Sequence, residues 1–145
     1  MSQYFELGDE TLWNPSEGAA RLFLRQAEVF EAELGLPSGL EPMRNDECRI
    51  DPAVFADFVH ALLAWHRRTG HTVLLALSEG FVGTVVALAQ RAGTGIDWAG
   101  LEASPDGPLA DLQVSAAGRS GPEDGGSWAA ALRARAAELS RAMAR

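Results

Sequence analysis

The stretch Thr72–Ala89, TVLLALSEGFVGTVVALA, limits what this chain can become more than any other. Its only polar side chains are Thr72, Ser78, Glu79 and Thr84. Projected at about 100° per residue, it has two unequal sides. Leu74, Leu75, Leu77, Phe81, Val82, Val85, Val86 and Leu88 fill a wide, bulky arc. Thr72, Ala76, Gly80, Gly83, Ala87 and Gln90 form a thin strip of small or polar residues. An arc that wide needs cover from more than one neighbour. The strip either admits a second helix at close range or faces water. The run is just long enough for a bilayer span, but Glu79 stands at its middle, where lipid strongly disfavours a charge. The expectation is the central helix of a small soluble α+β domain, mostly helical, with no membrane contact.

The other elements are arranged around that helix. Tyr4–Leu7 and Glu10–Trp13 flank Gly8-Asp9, a Gly-first pair suited to a two-residue hairpin turn. In that register Phe5 faces Leu12, and Tyr4 faces Trp13 on the opposite side. The Tyr4/Trp13 face is either covered or a contact surface. Cys48-Arg49-Ile50 offers a third short strand. Asn14-Pro15-Ser16-Glu17 reads as a helix start, with Asn14 as the cap, and Gly35 stops that helix after Leu34. Ala19, Leu22, Phe23, Val29, Phe30 and Leu34 are its expected inner arc. Asp51-Pro52 opens a second helix to about Thr69, with His66 inside its apolar arc. The short link Gly70-His71 makes it an antiparallel hairpin with the central helix. Asp97–Leu101 allows one helical turn.

Three parts are expected. Residues 1–101 hold the hairpin and three core helices. Residues 102–126, rich in Gly, Pro, Ser and Asp, read as a linker interrupted by a strand-like Leu109–Val114. Residues 127–145 form a last helix with the stripe Trp128, Leu132, Leu139 and Met143. A stripe that narrow docks in one groove, on its own body or on a second copy as a homodimer. The predicted fold is thus an N-terminal hairpin packed on a small bundle of four helices.

Charge narrows the partners. All twelve basic residues are Arg. Residues 1–126 carry 8 Arg against 19 acids, and residues 127–145 carry 4 Arg against Glu138. A body at −11 repels nucleic-acid phosphates and suits a basic protein partner or plain solubility. A single cysteine, Cys48, excludes an internal disulfide and fits a reducing cytoplasm. No secretory signal is legible.

Candidate chemistry is sparse. Glu79 has Leu75, Ala76, Val82 and Gly83 one turn away, so burial there would demand a partner or a proton. In the antiparallel hairpin His66 and Glu79 lie about one helical turn apart, close enough for an acid–base pair. A structural pair and an exposed carboxylate are the competing readings. Tyr4, Trp13 and Trp65 are expected as walls of the same pocket. Asp46 and Glu47 are candidate contacts for a cation or a basic partner. Asp57 and His60 stand at i,i+3 without the matching residues a metal site needs. No metal or cofactor is expected. Cys48 has no nearby activating His, and Ser78-Glu79-Gly80 lacks the nucleophile elbow.

At Ser2-Gln3-Tyr4-Phe5, Gly8-Asp9-Glu10-Thr11-Leu12-Trp13-Asn14-Pro15-Ser16 and Asp46-Glu47-Cys48 the chain resembles a family of small actinobacterial proteins of unknown function. The resemblance runs from about residue 2 to 92 and implies a cytoplasmic actinobacterial origin. It implies no activity, cofactor or catalytic residue. Two functional expectations follow from the residues themselves. One is a small acidic binding or accessory protein, regulatory or immunity-type, with a protein partner. The other is a small-molecule-binding protein or small acid–base enzyme with its pocket at His66 and Glu79.

Overall fold

Gly8 takes φ 61°, while Asp9 stays at negative φ, as a Gly-first hairpin turn requires. This turn joins β1 (Tyr4–Leu7) to β2 (Glu10–Trp13) in the computed structural model, which describes residues 2–103 and 127–145. The strands pair antiparallel, but Phe5 lies opposite Trp13 and Glu6 opposite Thr11. Leu12 is therefore an extra residue, and the expected Phe5–Leu12 and Tyr4–Trp13 pairs do not form. The cause is the apolar dipeptide Leu12-Trp13. In a regular strand the two would point to opposite faces; a bulge lets both be buried. β3 (Glu47–Arg49) joins the other side of β1 in parallel, giving the order β2-β1-β3.

Helix α1 (Glu17–Leu34) starts later than expected, and Ser16 rather than Asn14 caps it, accepting from Ala19 N. The backbone is still held in the sheet up to that point. Gln3 N donates to Pro15 O at 3.0 Å, and Ser2 bridges Ser16. Its buried face is Ala20, Phe23, Ala27 and Phe30. Leu22 and Val29, expected inside, are 62% and 58% exposed. The salt bridge Arg21–Glu17 spans 3.4 Å on the outer face.

Asp51 caps α2 (Pro52–Arg68) by accepting from Ala53 N and Val54 N, with Pro52 in the first turn. Thr69 to His71 then turn the chain into α3 (Thr72–Arg91), whose first turn His71 caps through Nδ1. Two of the polar side chains in α3 are satisfied within the helix. Ser78 Oγ donates to Leu74 O at 2.7 Å and Thr84 Oγ1 to Gly80 O at 2.8 Å. Among the described residues, α3 is the one helix long and apolar enough, with a mean hydropathy of 1.9, to cross a bilayer; half of that stretch is buried in the fold.

The core sits around the second half of α3. Phe81 lies between Phe23 and Phe30, its ring stacked 4.8 Å from that of Phe30. Ring contacts run on from Phe23 to Phe5 and Trp13, and from Phe30 to Trp65. An unbroken aromatic path thus joins the sheet to the α2–α3 turn. The opposite side of α3 is the small-residue strip, and α5 (Trp128–Ala142) covers it. Gly83 makes this approach possible. A Cβ there would lie 2.9 Å from Leu139 Cδ1 and 3.2 Å from Arg135 Cγ. Leu132, Ala136 and Met143 are buried along α5. Two alanines, Ala129 and Ala136, widen the expected stripe.

Arg91 locks the arrangement. Its guanidinium donates to Leu12 O (2.6 Å), Ser140 O (2.7 Å), Met143 O (2.8 Å) and Ser140 Oγ (3.1 Å). Asn14 N donates to Ala144 O. α5 thus rests on its own body. The short α4 (Trp98–Glu102) takes in the first residue of the expected linker. From residue 104 to 126 the linker, including the strand-like Leu109–Val114, lies outside the described residues.

Candidate functional site

The first half of α3 is thinly covered. Val73 is 57% and Leu77 72% exposed, while Phe81 through Ala89 are buried apart from Thr84. The stacked rings of Phe30 and Phe81 fill the space between α1 and α3, and beyond them the gap between the helices stays open. A groove remains on each flank of Thr72–Gly80.

The groove between α1 and α3 has a volume of about 370 Å³. Phe30 and Trp65 form its inner wall, and Val29, Leu74 and Leu77 its apolar rim. Glu33 is the carboxylate at its edge. The second half of α1 carries Glu28, Glu31 and Glu33, and its last turn has no base. The helix end adds its own partial negative charge. The volume lies in the range that binds small ligands or the side chains of a docked helix.

The groove between α3 and α5 has a volume of about 380 Å³. His66, Thr72, Glu79, Trp128 and Arg135 supply its polar groups, and Leu75 and Leu132 line it. The expected neighbours His66 and Glu79 thus share one cavity. Their environments differ sharply. His66 is buried, and its Nδ1 accepts from Trp128 Nε1 at 2.9 Å, which places the ring proton on Nε2. Glu79 is exposed. A general-acid–base pair wants a carboxylate in a dry setting, and Glu79 lies in a wet one.

The other expected walls are elsewhere. Trp13 is buried and stacks on Phe5 at 5.1 Å, so no exposed Tyr4/Trp13 surface exists. Tyr4 alone reaches solvent. Trp65, the residue before His66, faces the α1–α3 groove instead, because successive helical side chains diverge by about 100°. Asp46 is an internal brace: it has φ 66°, its Oδ1 accepts from Gln3 Nε2 at 2.7 Å and its backbone O from Tyr4 N at 2.8 Å. Glu47 pairs with Arg49 across 3.9 Å.

The remaining chemistry-bearing residues are structural. Burial, and then the charge of Glu41, push the Cys48 thiol up to about 12, which removes its nucleophilicity. His60 Nδ1 donates to Ala56 O, and its Nε2 accepts from Asp97 N, tying α2 to the start of α4. Among the described residues no group of three His, Cys, Asp or Glu side chains could hold a metal ion. Glu102 accepts from Ala129 N at 3.0 Å and anchors the start of α5; that bond and one from Ser127 hold its carboxyl below the usual range. Two groove residues, Trp128 and Arg135, reach the site only through the tertiary docking of α5. In the sequence Trp128 reads as part of a packing stripe, and nothing distinguishes Arg135 from the other arginines.

Neither a curated protein nor a solved structure matches this chain. A family model does, over residues 1–145, so the likeness extends through the tail beyond residue 92, where the motifs do not reach. The chain belongs to DUF6086, a family of unknown function.

Proposed function

We propose that this protein is a small acidic binding module whose α1–α3 groove takes a basic amphipathic helix from a partner protein. The observation that carries the reading is the bare apolar rim of Val29 and Leu77 around a groove floored by aromatic rings. A patch of that kind on an otherwise well-buried fold marks an interaction surface. Helix-in-groove docking uses apolar anchors spaced one turn apart, which Phe30, Leu74 and Leu77 would receive. Charge selects the partner. Glu33 borders the groove, and the body it belongs to is strongly negative, so a cationic helix is steered in and nucleic acid is repelled. A regulatory or immunity-type role in the cytoplasm fits this chemistry, as does the Arg-only, Ala- and Gly-rich composition of an actinobacterial protein. The central Glu79 and the buried second half of α3 favour a helix that stays out of the membrane. Exchange of α5 between two copies is the alternative assembly.

The test uses a designed helical peptide with Leu at i, i+4 and i+7 and Lys elsewhere. It is expected to perturb the amide resonances of Val29, Phe30, Leu74 and Leu77, to bind more weakly as salt rises, and to lose binding to Leu77→Glu. Perturbations spread over the whole acidic surface and unaffected by Leu77→Glu would overturn the reading.

A further inference from the structure

The opposite flank of α3 carries a different chemistry. We propose that the groove between α3 and α5 binds a small zwitterion, a molecule with one carboxylate and one ammonium on an apolar stem, such as a free amino acid. This site does not depend on the peptide groove.

Two unlike charges stand on its two walls. Glu79, on α3, is exposed and belongs to none of the ion pairs among the described residues. Arg135, on α5, gives Nη1 to Glu138 Oε2 at 2.9 Å. Its Nε is buried and has no acceptor. Nε is closed off from any ligand, but the side chain as a whole is 38% exposed, so the guanidinium can offer a carboxylate a charge-assisted bond from Nη2. The stem of Arg135 is fixed, because its Cγ packs against the space where Gly83 has no side chain.

The sign pattern selects the ligand. A plain anion would meet Glu79, and a plain cation would meet Arg135. A molecule carrying both charges satisfies both walls. Leu75 and Leu132 supply an apolar floor for its stem, and about 380 Å³ suits a ligand of that size. Trp128 closes one side with its indole N–H already given to His66, so it presents surface rather than a donor.

Calorimetric titration of the full chain with L-leucine, isoamylamine and isocaproate tests this. Leucine is expected to saturate, and each singly charged analogue to bind at least about tenfold more weakly. Glu79→Gln and Arg135→Gln should each reduce leucine to the level of the analogues. Arg135 packs on α3, so circular dichroism checks that its variant folds; Glu79 is exposed and its variant stands alone as a test. Equal binding of the three compounds, or undiminished leucine binding by Glu79→Gln, overturns the proposal. So does the absence of saturation by leucine, methionine and phenylalanine up to about 10 mM. Leu77→Glu, which removes the peptide groove, should leave leucine binding unchanged.

Discussion

The two halves of α3 have similar composition and opposite fates. Phe81–Ala89 is enclosed by the sheet, α1, α2 and α5, whereas Thr72–Gly80 leaves Val73 and Leu77 in water. Hydrophobicity alone does not separate them; the neighbours do. Phe23 and Phe30 converge on the second half, and Gly83 lets α5 close it. The first half has no such partners, and both candidate grooves lie beside it. One helix thus holds the fold together at one end and offers surface at the other.

Substitutions that strike one half and spare the other test this division. Phe81→Ala should cost about 3–5 kcal/mol in urea unfolding, since it empties the space between two rings. Arg91→Met should cost about 2–3 kcal/mol, because it strands the carbonyls of Leu12, Ser140 and Met143, and hydrogen exchange should report early opening of α5. Gly83→Val should cost about 1–3 kcal/mol by overpacking the α3–α5 contact. Acidification acts on the other half. Glu102 is held below the usual carboxylate range by Ala129 N–H and then Ser127. Its contribution is complete above the ordinary value and is lost as pH falls through the lowered one. The start of α5 should therefore loosen first, seen as a change in Trp128 fluorescence before any change at Phe81. The smallest effect belongs to Leu77→Ala, within about 0.5 kcal/mol. A loss at Leu77 as large as that at Phe81 would erase the distinction between the halves.

Local chemistry made most elements legible in the sequence. Gly8-Asp9, Gly35 and Asp51-Pro52 are punctuation whose meaning depends on a few neighbouring residues. The errors arose where distant contacts decide. Leu12 and Trp13 are both buried through a bulge that no alternation pattern encodes. On α1 the buried stripe is Ala20, Phe23, Ala27 and Phe30, and alanine gives little signal beside the larger Leu22 and Val29. The pairing of His66 with Glu79 in one cavity followed from the antiparallel hairpin. Trp128 and Arg135 enter that cavity from sixty or so residues away, along a helix whose docking place, on its own body or on a second copy, the sequence left open.

The Arg91 contacts also set an order of events during synthesis. Leu12 leaves the ribosome first, Arg91 follows 79 residues later, and Met143 comes a further 52 after that. At ordinary translation rates the interval from first to last is roughly ten seconds. For the final part of it the glycine-bearing side of α3 has already emerged and has nothing to cover it. A nascent chain of this kind would be a client for chaperones until its last helix arrives.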